Sequence, residues 1–283
     1  MELTNPKVIS YLLKKHQLRL SKSLGQHFLI DSEVPEKMAH QCGTDKDTDI
    51  LEVGPGIGCL TQELLHLSHS VTSVELDKSL LPVLSELFAD ADHFHLIHDD
   101  IMKTDLSALF ESFSAPKRGV CANLPYYITT PVVTRLFEYK QHLDFICVMV
   151  QKEVAKRFCA SPGSKDYGAI TLFCNFHASC EYLFDIPKES FFPAPKVDSA
   201  VILFKTLKFA PVSPKNADNM FKVIKAAFSQ RRKTFKNALQ STFPFLSSDL
   251  IVSSLFLLNK NEKTRGEELN LAEFSFLSDC FFS

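Results

Sequence analysis

Residues 50 to 60 read ILEVGPGIGCL. Ile50, Leu51 and Val53 form a short apolar run of the kind a buried parallel strand presents, and Gly54, Gly56 and Gly58 break it. Apolar periodicity resumes from Leu60 to Leu67 as a helix. A strand, a glycine turn and a helix place bare backbone and unpaired N–H groups beside a ligand, because each glycine removes a Cβ where the ligand must approach.

The spacing decides which ligand class fits. The dinucleotide fingerprint G-x-G-x-x-G requires its third glycine at position 59, which is cysteine here. The chain instead reads E-x-G-x-G-x-G from Glu52, the loop of S-adenosylmethionine (SAM) methyltransferases, in which no pyrophosphate is seated. Downstream, the strand Val71 to Val74 ends in Glu75, about twenty residues after the glycines, where nucleotide-binding α/β units place the acid that grips ribose hydroxyls. Asp77 then caps a helix running toward Phe88. A third strand, FHLIHDD (94 to 100), runs into Asp99 and Asp100 at the sheet edge where ligands bind. Either carboxylate can accept from an adenine amino group, and either can cap the following helix.

The fourth strand, GVCANLPYY, ends in Asn123-Leu124-Pro125-Tyr126. This rigid turn offers an amide side chain, outward backbone carbonyls and a flat aromatic face, a set suited to a planar amine. An exocyclic aromatic amine is a weak nucleophile because its lone pair is spread into the ring, and two acceptors on its N–H groups draw that pair out and aim it.

The remainder of the chain sets the frame. Its 283 residues suffice for a full α/β domain and a smaller one, and its net charge is only −2. The charge is unevenly distributed. Lys222, Lys225, Arg231, Arg232, Lys233 and Lys236 run without an acid, as do Lys14, Lys15, Arg19 and Lys22. Such runs are ordinarily solvated faces, yet in a near-neutral chain they also supply the local charge that phosphates need. Eight cysteines show no C-x-x-C pair and no zinc spacing, so the expectation is free thiols, no metal and a cytoplasmic protein. The first residues are too polar for a signal peptide, and no apolar segment has spanning length.

Further along, Asn5-Pro6 starts a helix, and KSLGQHFLID (22 to 31) is an ordered loop ahead of a helix cap at Asp31 or Ser32. YGAITLFCNF (167 to 176), CEYLFDI (180 to 186) and VDSAVILFKTL (197 to 207) read as β-rich, an antiparallel addition to the sheet. FFPAPKV (191 to 197) is a stiff loop with Phe191 and Phe192 near solvent, one of which packs inward. Helices are expected at Ala217 to Phe228, Arg231 to Gln240, Asp249 to Leu258 and Leu271 to Asp279, with a domain boundary near residue 209. The resulting architecture is an α/β, Rossmann-like sheet, mostly parallel with an antiparallel edge (1–209), followed by a small helical domain (210–283).

KSLGQHFL, LEVGPGIGCLT, VELD, NLPYYIT, MVQKEVAKRF, FFPAPKVDSAV and FSQRRKTFKNAL stand in one order. In that order they resemble the rRNA adenine dimethyltransferases of the bacterial KsgA type, from about residue 19 to 240 with a fainter likeness in TRGEEL. The resemblance implies a SAM site with His27, Leu29, Gly54 in the glycine loop beside Gly56, Glu75 on the ribose, Asp100 on the adenine with Ile101 next to it, and Asn123. It selects Asp100 over Asp99. It implies as substrate two adjacent adenosines in a hairpin loop near the 3′ end of small-subunit rRNA, each methylated twice; the expected partner is the pre-ribosomal small subunit, and with no sequence basis for an oligomer a monomer is expected. Asn123 and the Leu124 carbonyl hold the amine in that reading, Tyr126 and Phe191 sandwich the base, and Arg231, Arg232 and Lys233 meet phosphates. No residue is assigned as general base. The chain departs from the family pattern with His27 in place of Asn, Asn175 in place of glutamine and Gly266 in place of alanine. Two rival readings are a large-subunit rRNA adenine dimethyltransferase giving antibiotic resistance, and a ribosome-assembly binding factor with secondary catalysis.

Overall fold

A computed structural model describes residues 1–18 and 26–282. Arg19, Lys22 and the KSLG start of the 22–31 loop lie outside the described residues. Helix α1 (Pro6–Lys15) is capped by Asn5, whose side chain accepts from the Lys7 N–H. Strand β1 (Phe28–Leu29) leads into α2 (Glu33–Gln41), where the first amide, Glu33 N–H, donates to Asp31 at 3.2 Å. Next come β2 (Thr48–Val53), α3 (Cys59–Leu67), β3 (Ser70–Glu75), α4 (Leu81–Leu87), β4 (Phe94–His98), α5 (Leu106–Glu111), β5 (Lys117–Asn123), α6 (Thr129–Glu138), β6 (Phe145–Gln151) and α7 (Lys152–Phe158). The chain continues through α8 (Ala169–His177), β7 (Ala178–Ile186), β8 (Phe191–Phe192), β9 (Ser199–Thr206), α9 (Ala217–Ser229), α10 (Phe235–Thr242), α11 (Ser248–Leu257) and α12 (Leu271–Phe281).

Among the described residues the main sheet has the order β4-β3-β2-β5-β6-β9-β7, and β1 pairs with β8 in a second, two-stranded sheet. Strands β2 to β6 pair in parallel, whereas β9 runs antiparallel to β6, so the expected mostly parallel sheet with an antiparallel edge is what forms. Strand β2 is buried along its whole length, as a central strand covered on both faces must be. Ile50, Leu60, Leu64, Val71, Cys121 and Met149 share one core with Met38 and Ala39 of α2. A second core joins Ile9 and Leu12 of α1 to Phe28, Ile57 and Leu84.

Two compact units divide the chain: 1–155 with 181–206, and 156–180 with 207–283. The expected boundary near 209 leaves residues 156–180 with the sheet. They group instead with the helices, because Tyr167 and Leu172 pack into a core with Met220, Ile224, Phe235 and Phe274. For the same reason YGAITLFCNF is not β-structure. Residues 169–177 form helix α8, begun by a Gly168 N–H donating to the Thr171 hydroxyl at 3.1 Å. A continuous apolar run of this length suits a buried helix as well as a strand, and the choice falls to packing.

Two further expectations change. The helix expected from Arg231 begins at Phe235, since Thr234 is extended and its hydroxyl caps the Asn237 N–H. Cys159 and Cys180 are bonded as a disulfide, with Cα atoms 5.5 Å apart, so these two are not free thiols. Their spacing in sequence carries no pairing signal; α8 folds back and brings them together. No helix among the described residues is long and apolar enough to cross a membrane.

Candidate active site

The glycine turn supplies the floor. Gly54, Gly56 and Gly58 have φ of 68°, 62° and 88°, a left-handed conformation that side chains with a Cβ rarely adopt. At Gly58 a Cβ would also stand 2.6 Å from the Phe88 ring. The turn is fixed from behind, with Gly54 N–H bonded to the Val74 carbonyl at 3.0 Å. Glu52, 1% exposed, lies beneath it and accepts from the Thr61 and Ser73 hydroxyls, both at 2.7 Å. Burial pushes its carboxyl up to about 7. Only the Glu52 position in the motif was legible in sequence; its two hydroxyl partners come from α3 and β3, which no local pattern links.

Two adjoining cavities open on this floor. His27, Leu29, Gly54, Gly56, Asn123, Leu124, Tyr126 and Phe191 all line the first. Gly54, Gly56, Glu75, Asp100 and Ile101 line the second, with Leu76, Tyr127 and Ile128 added by the fold. The structure thus gathers every sheet-borne site residue expected from sequence, while Arg231, Arg232 and Lys233 belong to the other unit.

The second cavity fits a nucleoside. Glu75 accepts Asp77 N–H on one oxygen at 2.7 Å and Gly56 N–H on the other at 3.4 Å, which fixes the carboxylate and leaves lone pairs for a diol. Burial raises its pKa above the ordinary value. Gln26 donates to Asp77 at 2.7 Å and ties the entry segment to this end of β3. Asp99 and Asp100 both border the cavity but are held differently. Asp99 accepts the Asp100 N–H at 2.8 Å and the Thr104 hydroxyl at 2.9 Å, whereas Asp100 accepts the Met102 N–H at 2.9 Å and stands 3.8 Å from the Lys103 ammonium. These residues suit the adenosine portion of SAM, whose sulfonium makes its methyl group electrophilic.

The first cavity is a slot between two walls. One wall is the turn after β5, held by the Leu124 N–H on the Met149 carbonyl at 3.1 Å. There the Tyr126 hydroxyl meets Ser199 Oγ at 2.8 Å, and burial raises the phenol pKa. The other wall is β8 and the loop after it. Alternation along β8 sends Phe191 inward, 2% exposed, and Phe192 outward, 44% exposed, so the pair is not held near solvent as a unit. Pairing of Leu29 with Phe191 and of Phe28 with Phe192 fastens the segment, as does Ser190 Oγ donating to Asp31 at 3.0 Å. Tyr126, Phe191, Asn123 and Leu124 all line this slot. Ser199 escaped the sequence reading because it lies 73 residues from Tyr126.

In the second unit the three basic residues are not equivalent. The Arg231 guanidinium donates to the carbonyls of Lys165 at 2.7 Å and Tyr167 at 3.1 Å and stands 3.6 Å from the Glu267 carboxylate. All three are exposed, so it is these contacts and not burial that set Arg231 apart.

Residues 5–275 match the family model described as ribosomal RNA adenine dimethylase. The chain is 39% identical over 278 residues to ribosomal RNA small subunit methyltransferase A of Alkaliphilus metalliredigens, covering 98% of this chain and 97% of the relative. It is 40% identical over 269 residues to the protein of the same name from Clostridioides difficile, covering 95% and 93%. Among solved structures, a dimethyladenosine transferase from Plasmodium falciparum matches with a TM-score of 0.74 at 23% identity, covering 89% of this chain and 96% of that one. The 23S rRNA methyltransferase ErmE matches at 0.69 and 20%, covering 90% and 100%, a likeness of fold. With a match over nearly its whole length, the chain belongs to the ribosomal RNA adenine dimethylase family.

Proposed function

We propose that the protein transfers methyl groups from SAM to the 6-amino groups of two adjacent adenosines in the 3′-terminal hairpin loop of small-subunit rRNA, two to each. The observation that carries this reading is the Asn123-Leu124-Pro125-Tyr126 turn, which opens on the same cavity as the glycine loop and Phe191. Asn123 and the Leu124 carbonyl hold the amine, and Tyr126 and Phe191 grip the base. His27, Leu29, Gly54, Gly56, Glu75, Asp100 and Ile101 hold the methyl donor. The protein's contribution is alignment of donor and acceptor, which supplies roughly 7–11 kcal/mol of a barrier in well-oriented reactions. A loop nucleoside leaves its stack more cheaply than one in a duplex, which favours a hairpin loop as the target.

The relatives named small subunit methyltransferase A support the small subunit over the large one. The helical unit grips the RNA through phosphate contacts from Arg231, Arg232 and Lys233. The protein works as a monomer in the cytoplasm, on the pre-ribosomal small subunit.

Transfer of labelled methyl from SAM to small-subunit particles from cells lacking the protein tests the proposal, with primer extension locating the modified positions. Dimethyladenosine at two adjacent positions near the 3′ end is the expected result. Tight particle binding without label would replace it with an assembly role.

A further inference from the structure

Two segments far apart in sequence wall the second cavity. Asp99, Asp100 and Ile101 come from the loop after β4, and Pro125, Tyr127 and Ile128 from the turn after β5. Under the proposed function the first segment receives the adenine of SAM, and the second leads on from the residues that hold the amine. Their spacing therefore sets how donor and acceptor line up.

One residue gathers the loop. The Thr104 N–H donates to the Asp100 carbonyl at 2.9 Å and its hydroxyl donates to the Asp99 carboxylate at 2.9 Å, so both acids are tied to it. The Thr104 carbonyl in turn accepts from the Arg135 guanidinium at 2.8 Å. Arg135 stands on α6, and the turn after β5 is the start of that helix. Ile128 N–H and the Thr129 hydroxyl both donate to the Pro125 carbonyl, at 3.1 and 3.3 Å, and Val132 N–H donates to the Ile128 carbonyl at 3.0 Å. A chain of bonds therefore runs from the turn along α6 to Arg135, Thr104 and the two acids.

Arg135 is half-buried, makes no ion pair among the described residues, and leaves its buried Nε without a hydrogen-bond partner. Beyond the Thr104 bond its guanidinium faces the Tyr139 ring, 6.0 Å from the centroid. Taking a cation out of water with no anion to meet it costs stability, so a scaffold role alone does not account for arginine here. We propose that Arg135 is a positioning residue of methyl transfer, holding the loop that receives the donor's adenine at a fixed spacing from the turn that holds the amine. The assignment rests on the proposed function, which gives those two segments their ligands. Arg135 lines neither cavity and acts through Thr104. A displacement of about 1 Å, even from a change far from the chemistry, can slow a reaction by roughly 100-fold.

Arg135→Met keeps an unbranched side chain and removes the bond. Its single-turnover rate at saturating SAM and small subunit should fall by about tenfold or more, while binding of the small subunit without SAM stays as in wild type. The melting temperature should change little, because the lost bond and the removed unpaired cation act in opposite directions. The bond is single rather than forked, so Arg135→Lys can supply it and should bring the rate back to within about threefold of wild type. Thr104→Val cuts the same chain at the Asp99 carboxylate, so the double variant Arg135→Met, Thr104→Val should be no slower than the slower single one. An unchanged saturated rate in Arg135→Met overturns the proposal. So does a lower melting temperature with the rate per folded molecule kept, a lysine variant no faster than the methionine one, or additive losses in the double variant. Failure of the underlying reading looks different, because wild type itself would then leave the small subunit unlabelled.

Discussion

The Tyr126 hydroxyl and Ser199 Oγ meet at 2.8 Å, joining the turn after β5 to the first residue of β9. Ser199 belongs to the sheet and Tyr126 to the turn, so the aromatic wall of the slot is set by tertiary structure rather than by the turn alone. Ser199 is fully buried and has no water to replace the bond. Ser199→Ala is expected to cost about 1 kcal/mol of positioning, read as a five- to tenfold lower single-turnover rate. Tyr126→Phe removes the same bond, so the double variant should be no slower than either single one.

Asn123 closes β5 and opens on the first cavity. Asn123→Ala should lower methyl transfer by at least about 100-fold, in the range for losing one aligned donor or acceptor at a reacting centre. Binding of the small subunit should persist in a particle pull-down, and unchanged transfer would remove the turn from the mechanism.

Glu75 is fixed by two backbone amides and faces the second cavity. Replacing it by Gln keeps the shape and removes the charge. A charged hydrogen bond of about 1.5–3 kcal/mol corresponds to SAM binding weaker by about 10- to 100-fold in calorimetry.

Glu52 binds protons more tightly folded than unfolded, since burial raises its carboxyl from the ordinary 4.5 to about 7. Its contribution to stability is therefore full below about pH 4.5 and is lost as pH rises through about 7. The slope reaches roughly 1.4 kcal/mol per pH unit inside that window. Urea unfolding across pH 4.5–7 should show the slope in wild type and not in Glu52→Gln, whose amide oxygen still accepts from Thr61 and Ser73.

Arg231 is tied to the Lys165 and Tyr167 carbonyls and Glu267, so Arg231→Ala should lower the melting temperature of the protein. Neutralising Arg232 and Lys233 should leave the melting temperature in place and weaken RNA binding. In filter binding the salt slope should drop by about one for each phosphate that is no longer neutralised. Equal behaviour of all three variants would return the cluster to a solvated surface.

Short-range chemistry was legible in the sequence. Gly54, Gly56 and Gly58 take positive φ, an acid ends β3, and a proline turn follows β5, features each read from residues a few positions apart. Those local rules set the parallel sheet and named Gly54, Gly56, Glu75 and Asn123, whereas His27, Leu29, Ile101 and the choice of Asp100 came from the family resemblance and Leu76, Tyr127 and Ile128 from the fold. Long-range pairing was not legible. Ser199 on Tyr126, Pro193 on His27, and Thr61 and Ser73 on Glu52 join residues 9 to 166 positions apart, and nothing in either partner's neighbourhood records the other. Residues 167–176 make the same point for secondary structure. An apolar run of that length satisfies strand and helix alike, and its burial against Met220, Ile224 and Phe274 made it a helix. The sequence determined which chemistry the molecule carries, and tertiary packing decided how tightly each group is held, because hydrogen bonds between distant segments form only once the chain has folded.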